Sequence, residues 1–264
     1  MRLVDWLPAA LCALAAVAAA AWWMRRREGR LWRLLAEGNR KLEDLQRQFE
    51  RFVPADIVDR LSGDAAAWAP ERRRVTMLFA DLRGFTALCD RLDPAVAVDI
   101  LNGYFAHMDA AIARHHGHVN ELVGDGLLAL FGAFEANAWQ ERDAVLAALD
   151  MRAALARYNE SLAKRSLPAL KFGVGIHCGE VVAGVLGAGV LSKFGVTGDP
   201  INVASRIEGL TRDFAVDLLV SEDVRIRLDA RFRVREMPPA AVKGKARPIV
   251  TFHVEGVADA APVA

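Results

Sequence analysis

The chain has 264 residues and a mass of 28.8 kDa, which suits one catalytic domain with an appendage rather than several domains. It is 53% hydrophobic and 25% charged, which excludes a disordered or fibrous protein. The 34 Lys and Arg residues are balanced by 33 Asp and Glu residues, so we expect no nucleic-acid partner. Three widely spaced cysteines, Cys12, Cys89 and Cys178, exclude a disulfide scaffold and fit a reducing compartment.

An uncharged run covers residues 6–24, close to the ~20 residues that a helix needs to cross the hydrocarbon layer. Tryptophans stand at both ends of the run, and three arginines, Arg25–Arg27, follow it at once. Positive charges mark the cytoplasmic side, whereas a cleaved signal peptide, the alternative, carries them before the apolar run. The pattern predicts a single-pass anchor over residues 1–24 in the inner (plasma) membrane, with the rest of the chain in the cytoplasm.

Apolar residues then recur at alternating spacings of four and three from Leu31 to Phe52, interrupted at Gly38. This heptad pattern favours a coiled coil over residues 25–53 that pairs two chains, and the alternative is an amphipathic helix packed on its own domain. A short helix and linker are predicted over residues 54–73. A helix between anchor and catalytic domain could also receive a signal from a sensor partner, which the sequence does not identify.

From residue 74 to 256 the hydrophobic pattern becomes a mixture of strands and helices, and residues 257–264 are predicted to be a flexible tail. Single strands are predicted at Val75–Leu82, 217–220, 232–235 and 249–254, and hairpins are predicted at 118–132 and 171–187. The predicted helices lie at Pro94–Gly117, 138–162 and 201–213. The order predicts an α+β fold in which helices cover one face of a sheet.

Two aspartates stand at positions suited to metal binding. Asp81 ends an apolar strand, and Asp125 lies between two glycines at the tip of a hairpin. A single aspartate in a turn usually bonds its own backbone, which is the alternative for each. Two carboxylates at the ends of adjacent strands can instead share divalent cations, with substrate phosphates and water completing the coordination. The backbone N–H groups of Gly84, Phe85 and Thr86 could bind phosphate oxygens.

Cationic and amide side chains follow later in the sequence. Asn202 and Arg206 are four residues apart and therefore lie on one face of a helix. Arg206 could neutralise a phosphoryl group in transfer and Asn202 could orient a ribose, whereas the alternative for Arg206 is a salt bridge with Glu208 or Asp213. Lys243, in a glycine-containing loop, suits a phosphate tail.

Five segments, FADLRGFT, NELVGDGLLALFG, GIHCGEVVAGVLG, GDPINVASRIE and VKGK, resemble in order and spacing the bacterial-type class III purine nucleotide cyclases. The resemblance covers about Val75 to Glu255. It implies a ferredoxin-like βαββαβ core with an antiparallel-rich sheet covered by helices. It also implies that a nucleoside triphosphate is converted to a 3′,5′-cyclic nucleotide and pyrophosphate.

The resemblance assigns roles by motif. Asp81, Leu82 and Asp125 correspond to the metal-binding positions, with two Mg²⁺ or Mn²⁺ per active site. Asn202 and Arg206 correspond to the pair that stabilises the transition state, and Lys243 corresponds to a triphosphate contact. In this family the site lies between two domains, and this chain carries both sets of residues. The resemblance therefore implies a homodimer with two equivalent sites.

The base pocket departs from the commonest pattern. Adenylate cyclases of the family usually carry Lys where this chain has Glu121, and Asp or Thr where it has Gly195. Guanine presents donors at N1 and N2, which a carboxylate at position 121 suits, whereas adenine N1 is an acceptor. The sequence therefore favours GTP. The alternatives are an adenylate cyclase that uses ATP with an unusual pocket, and a nucleotide-binding dimer module without turnover.

Overall fold

The computed structural model describes residues 69–187, 193–241 and 248–258. The predicted anchor, the predicted coiled coil, the short helix with most of its linker, Lys243 and most of the tail lie outside the described residues. Among the residues that are described, no helix is long and apolar enough to cross a membrane.

The described part contains eight strands and five helices. The strands are β1 Glu71–Leu82, β2 Gly117–Val123, β3 Gly126–Phe131, β4 Phe172–Leu186, β5 Lys193–Thr197, β6 Leu218–Ser221, β7 Phe232–Glu236 and β8 Thr251–Val257. The helices are α1 Phe85–Cys89, α2 Pro94–Ala113, α3 Gln140–Lys164, α4 Asp199–Asp213 and α5 Glu222–Arg225. Strand β1 begins four residues before the predicted Val75, so the end of the predicted linker belongs to the sheet.

All eight strands form one sheet in the order β2-β3-β1-β4-β6-β8-β7, and β5 pairs with β4 beside this path. Strand β1 pairs antiparallel with both β3 and β4, and β4 pairs parallel with β6. The succession β1-α2-β2-β3-α3-β4 is the βαββαβ order that the resemblance implies. The sheet places the carboxyl end of β1 beside the turn between β2 and β3.

Helix α2 begins as the sequence indicates. The side chain of Asp93 accepts a hydrogen bond of 2.8 Å from the N–H of Ala95, and Pro94 occupies the first turn, where its missing N–H has no cost. The helix ends at Ala113 rather than at the predicted Gly117, because the chain turns through His116, which has a φ of 58°.

The prediction of a second hairpin within residues 171–187 is wrong. This segment is one continuous strand, β4, which pairs with β1 from Glu71 to Leu82 and forms its hairpin with β5 instead. Glycines of this strand make room for α4. A Cβ on Gly175 would lie 2.7 Å from the carbonyl oxygen of Ala204, so only glycine allows the helix to approach this closely.

Helices cover both faces of the sheet, so the prediction of one covered face is also wrong. Helices α2 and α3 bury one face through a cluster that includes Leu78, Ile100 and Met151. Helix α4 lies on the opposite face, where Ile207 packs with Leu219 of β6. Alternate residues of a strand point to opposite faces, which separates Leu219 from the first cluster. The face under α4 is the one onto which Asp81 projects.

Candidate functional site

The two predicted aspartates meet at one edge of the sheet. Asp81 is the second-last residue of β1, and Asp125 lies in the turn that joins β2 to β3. Because Ala80 is paired with Leu127, the turn lies directly beside Asp81. A Cβ on Gly126 would be 2.9 Å from Asp81 Oδ1. Gly124 adopts a left-handed φ of 62°, which a glycine takes without strain in so tight a turn.

The electrostatics of this pair indicate a site for a cation. Burial raises the pKa of Asp81, the negative charge of Asp125 raises it further, and the Arg212 guanidinium and the Leu82 N–H partly oppose the shift. A divalent cation between two such carboxylates would relieve their repulsion. In the described ranges no three His, Cys, Asp or Glu side chains are arranged to hold a metal. The two carboxylates fit Mg²⁺ or Mn²⁺, because such ions are commonly held by one or two carboxylates while phosphates and water take the remaining positions.

The remaining residues of the loop surround this edge. The Leu82 side chain is buried in the core, so only its backbone is available to a ligand. Gly84 has a left-handed φ of 71° and precedes the short helix α1, where Phe85 is buried and Thr86 is exposed. Thr86 and the backbone of Gly84 thus face solvent, and the Phe85 ring anchors the loop.

Glu208 is a third carboxyl group at this edge, which the sequence did not predict as a site residue. It lies on α4 above Gly173, and Gly173 is paired with Asp81 in the sheet. A Cβ on Gly173 would be 2.7 Å from Glu208 Oε1. Burial, and then the charge of Asp81, raises the pKa of Glu208 to about 7; Asp125 adds to the shift, while Arg212 and Arg83 oppose it.

Two arginines connect α4 to the loop that follows Asp81. Arg212 Nη2 lies 4.0 Å from Asp81 Oδ2. Arg83 Nη2 donates hydrogen bonds to the carbonyl oxygen of Thr211, at 3.0 Å, and to that of Val216. The spacing of Glu208 and Arg212, four residues apart, was visible in the sequence, but nothing in the sequence indicated that this face of α4 meets Asp81.

Asn202 and Arg206 lie on the other side of α4. Helical residues advance by about 100° each, so Arg206 and Glu208 differ by about 200° and flank the buried stripe from opposite sides. Asn202 is exposed, and the Nη1 atom of Arg206 is buried without a hydrogen-bond partner among the described residues. Neither predicted salt bridge, to Glu208 or to Asp213, occurs in the part of the chain described. One chain therefore does not bring Asn202 and Arg206 to its own aspartates.

The two predicted base-reading positions lie on strands that do not pair with each other. Glu121 is exposed on β2, where it is paired with Leu128 directly after a bulge. Gly195 is on β5, opposite Gly184. A Cβ on Gly195 would meet one atom, Leu186 Cδ1, at an ordinary distance of 3.6 Å. Position 195 thus has room for the first atom of a side chain.

The raised pKa of Glu208 predicts a pH-dependent effect on stability. Between pH 4.5 and about 7 the folded chain keeps a proton that the unfolded chain has lost, so the free energy of unfolding falls as pH rises. Glu208→Gln removes the buried charge. In EDTA at pH 8 we expect this variant to stabilise the domain by about 1–3 kcal/mol after allowance for solvent screening, which is about 2–12 °C in Tm.

The stabilisation by Glu208→Gln should become smaller as the pH falls toward 5, because the Glu208 carboxyl group of the wild type is then mostly protonated. Thermal melts of both chains at pH 5 and pH 8 test this, with Glu160→Gln, an exposed glutamate on α3, as the matched control. A destabilised Glu208→Gln at pH 8, or an equal gain at both pH values, would contradict the assignment of a buried charge.

The chain resembles proteins of one family along most of its length. The family model for the adenylate and guanylate cyclase catalytic domain matches residues 68–256. An adenylate cyclase of Anabaena cylindrica is 34% identical over 226 residues, which cover 81% of this chain and 44% of that protein. Adenylate cyclase 1 of Rhizobium meliloti is 30% identical over 214 residues, covering 79% of this chain and 32% of that protein. The chain thus spans less than half the length of these relatives.

Solved structures show the same similarity. The crystal structure of the guanylyl cyclase Cya2 aligns with a TM-score of 0.66 and 34% identity, over 72% of this chain and 96% of that one. The adenylyl cyclase CyaB from P. aeruginosa aligns with a TM-score of 0.66 and 26% identity, over 70% and 95%. The relatives are named for two different purines, so similarity alone does not select the base.

Proposed function

The chain belongs to the adenylate and guanylate cyclase family, and we propose that it converts a purine nucleoside triphosphate to its 3′,5′-cyclic monophosphate and pyrophosphate. The observation that carries the proposal is the pair of Asp81 and Asp125 at one strand end, where burial and then the like charge of Asp125 raise the pKa of Asp81. A cation held by only two carboxylates keeps coordination positions open, and these can be taken by the triphosphate.

Each residue has a role that follows from its chemistry. Asp81 and Asp125 would hold Mg²⁺ or Mn²⁺. When bound, two such cations would lower the basicity of the ribose 3′-oxygen and neutralise the triphosphate. The 3′-oxygen forms a bond to the α-phosphorus and releases its proton to solvent. The bond from that phosphorus to the pyrophosphate oxygen breaks, and pyrophosphate leaves with the electron pair. Arg206 would stabilise charge on the phosphoryl group, and Asn202 would orient the ribose.

The two sides of α4 support a homodimer with shared sites. Asp81 lies beside the side of the helix that carries Glu208, whereas Arg206 lies on the other side. The buried Nη1 atom of Arg206 has no hydrogen-bond partner in the described ranges. A second copy, related by a two-fold axis, can bring its own Arg206 to the aspartates of the first. Each dimer would then hold two equivalent sites, and an isolated chain would hold none.

We also propose that residues 6–24 attach the enzyme to the inner membrane and that residues 25–53 pair the two chains. The support is the uncharged run with its following arginines and the heptad spacing. Parallel pairing next to the membrane would hold two catalytic domains close together, which raises their effective concentration. A sensor partner could act on the same helices.

GTP is the substrate that the base pocket favours. A carboxylate at Glu121 can accept hydrogen bonds from the N1 and N2 groups of guanine, whereas it would face the N1 acceptor of adenine. The space at Gly195 leaves guanine O6 to water or to backbone N–H groups. A polar group left unpaired costs about 1–3 kcal/mol, which is roughly tenfold to a hundredfold in selectivity.

Exchange of both base-pocket residues should reverse this preference. For Glu121→Lys combined with Gly195→Asp, we expect the ratio of kcat/KM for GTP to that for ATP to fall by about 10²–10⁴-fold, because the exchange removes a preference of about 10–100-fold for GTP and creates one of similar size for ATP. A lysine donates to adenine N1 and an aspartate accepts from adenine N6. The measurement is initial rates with both nucleotides. Glu121→Gln is the matched control, because it keeps the size of the side chain and should narrow the preference without reversing it. A wild-type chain that prefers ATP would refute the role of Glu121.

A further inference from the structure

The carboxyl group of Glu208 lies over Gly173 of the sheet, which has no side chain to exclude it. Gly173 of β4 is paired with Asp81 of β1, so the Asp81 side chain and the Cα hydrogen that replaces a side chain at Gly173 lie on the same face of the sheet, under α4. Any side chain at position 173 would overlap the Glu208 carboxyl group, which instead lies over the backbone beside Asp81. The gap in the sheet allows a charged side chain to sit within the electrostatic range of both aspartates.

A second observation is an unpaired hydroxyl group beside Glu208. The Oγ1 atom of Thr211 would also overlap a Cβ on Gly173, so it lies next to the Glu208 carboxyl group. Thr211 is fully buried, and its hydroxyl has no hydrogen-bond partner among the described residues. Buried hydroxyl groups are rarely left without a partner, so the hydroxyl points to a polar ligand or bound water.

We propose that Glu208 is a positioning residue of the cation site, assisted by the hydroxyl of Thr211. Its carboxyl group accepts hydrogen bonds from water that completes the coordination of the cation held by Asp81 and Asp125. The inference rests on the proposed function, because it assumes that these aspartates hold the cation. Residues that hydrogen-bond to the ligands of a metal hold those ligands in position. Mutation of such a residue typically lowers metal affinity by about 10–100-fold.

The position of the carboxyl group, and not only its charge, is what the proposal requires. Glu208→Gln removes the charge at constant size, and Glu208→Asp keeps the charge but withdraws it by one methylene group. Both should weaken Mn²⁺ binding by about tenfold. Thr211→Val should weaken it less, without loss of stability in EDTA, because the variant removes a hydroxyl that is unpaired in the metal-free chain.

The experiment is a titration of the full-length chain with Mn²⁺ alone at pH 8, followed by electron paramagnetic resonance of the free ion. Wild type, Asp81→Asn, both Glu208 variants, Thr211→Val and the control Glu160→Gln are compared, and thermal melts in EDTA show that each is folded. We expect the wild type and Glu160→Gln to bind equally and Asp81→Asn to lose the site.

The possible failures are distinguishable. Wild-type affinity in Glu208→Gln would overturn the proposal, and so would wild-type affinity in Glu208→Asp, which would show that charge alone acts. If the wild type shows no site that Asp81→Asn removes, the proposed cation site itself fails, and the role of Glu208 fails with it.

Discussion

Replacement of Asp81 by Asn should lower cyclic nucleotide formation by about 10³-fold, and replacement of Asp125 should do the same. Charge stabilisation by bound cations contributes several kcal/mol to the transition state, and each 1.36 kcal/mol is about tenfold in rate. Asparagine has the size of aspartate but lacks the charge that holds a divalent cation. The measurement is the initial rate of product formation in saturating Mn²⁺ with GTP and with ATP.

Loss of fold does not explain the expected loss of activity. Burial and then the like charge of Asp125 raise the pKa of Asp81. Each substitution removes one of these two like charges, so Tm in EDTA should stay constant or rise. Asp109→Asn, an exposed aspartate on α2, is the matched control and should retain wild-type turnover. If Asp81→Asn retained wild-type turnover as well, the carboxylate pair would not be the metal site.

Mixed dimers should recover activity from two inactive chains. Asp81→Asn damages the aspartate side of a shared site, and Arg206→Ala damages the arginine side. In a mixed dimer both changes fall in one site and the second site is intact. Random pairing of equal amounts gives half mixed dimers with one intact site each, so we expect about one quarter of the wild-type rate.

The matched control pairs Asp81→Asn with Asp125→Asn. Both changes lie on the aspartate side, so each site of that mixed dimer keeps one defect and the rate should stay at background. Two different affinity tags allow the mixed dimers to be isolated and assayed. Isolated mixed dimers of Asp81→Asn and Arg206→Ala that remain inactive would contradict a site shared between chains.

The sequence predicted the parts of the site that depend on local pattern. The apolar run before Asp81 indicated a buried strand, and the glycines around Asp125 indicated a tight turn. Both are confirmed as elements, because a strand and its adjacent hairpin are short-range features. The helical spacing of Asn202 and Arg206 likewise required only that α4 be a helix.

The parts that depend on long-range packing were not predictable. The segment 171–187 was predicted to be a hairpin, whereas it is one strand whose Gly173 and Gly175 let α4 approach β4 closely. The neighbour of Glu208 is Asp81, which is distant in sequence and reaches it only through the register of β1 and β4. The helical spacing within α4 gives the face on which Glu208 lies, but it does not predict which strand that face packs against.

The most direct test of the proposed cyclase activity is an assay of the full-length chain with GTP and with ATP side by side in Mn²⁺, in which cyclic nucleotide and pyrophosphate are both quantified. We expect equal amounts of the two products, lost on chelation of the metal, with GTP as the faster substrate. Nucleotide that binds but gives neither product would contradict the proposed activity and would identify the chain as a binding module without turnover.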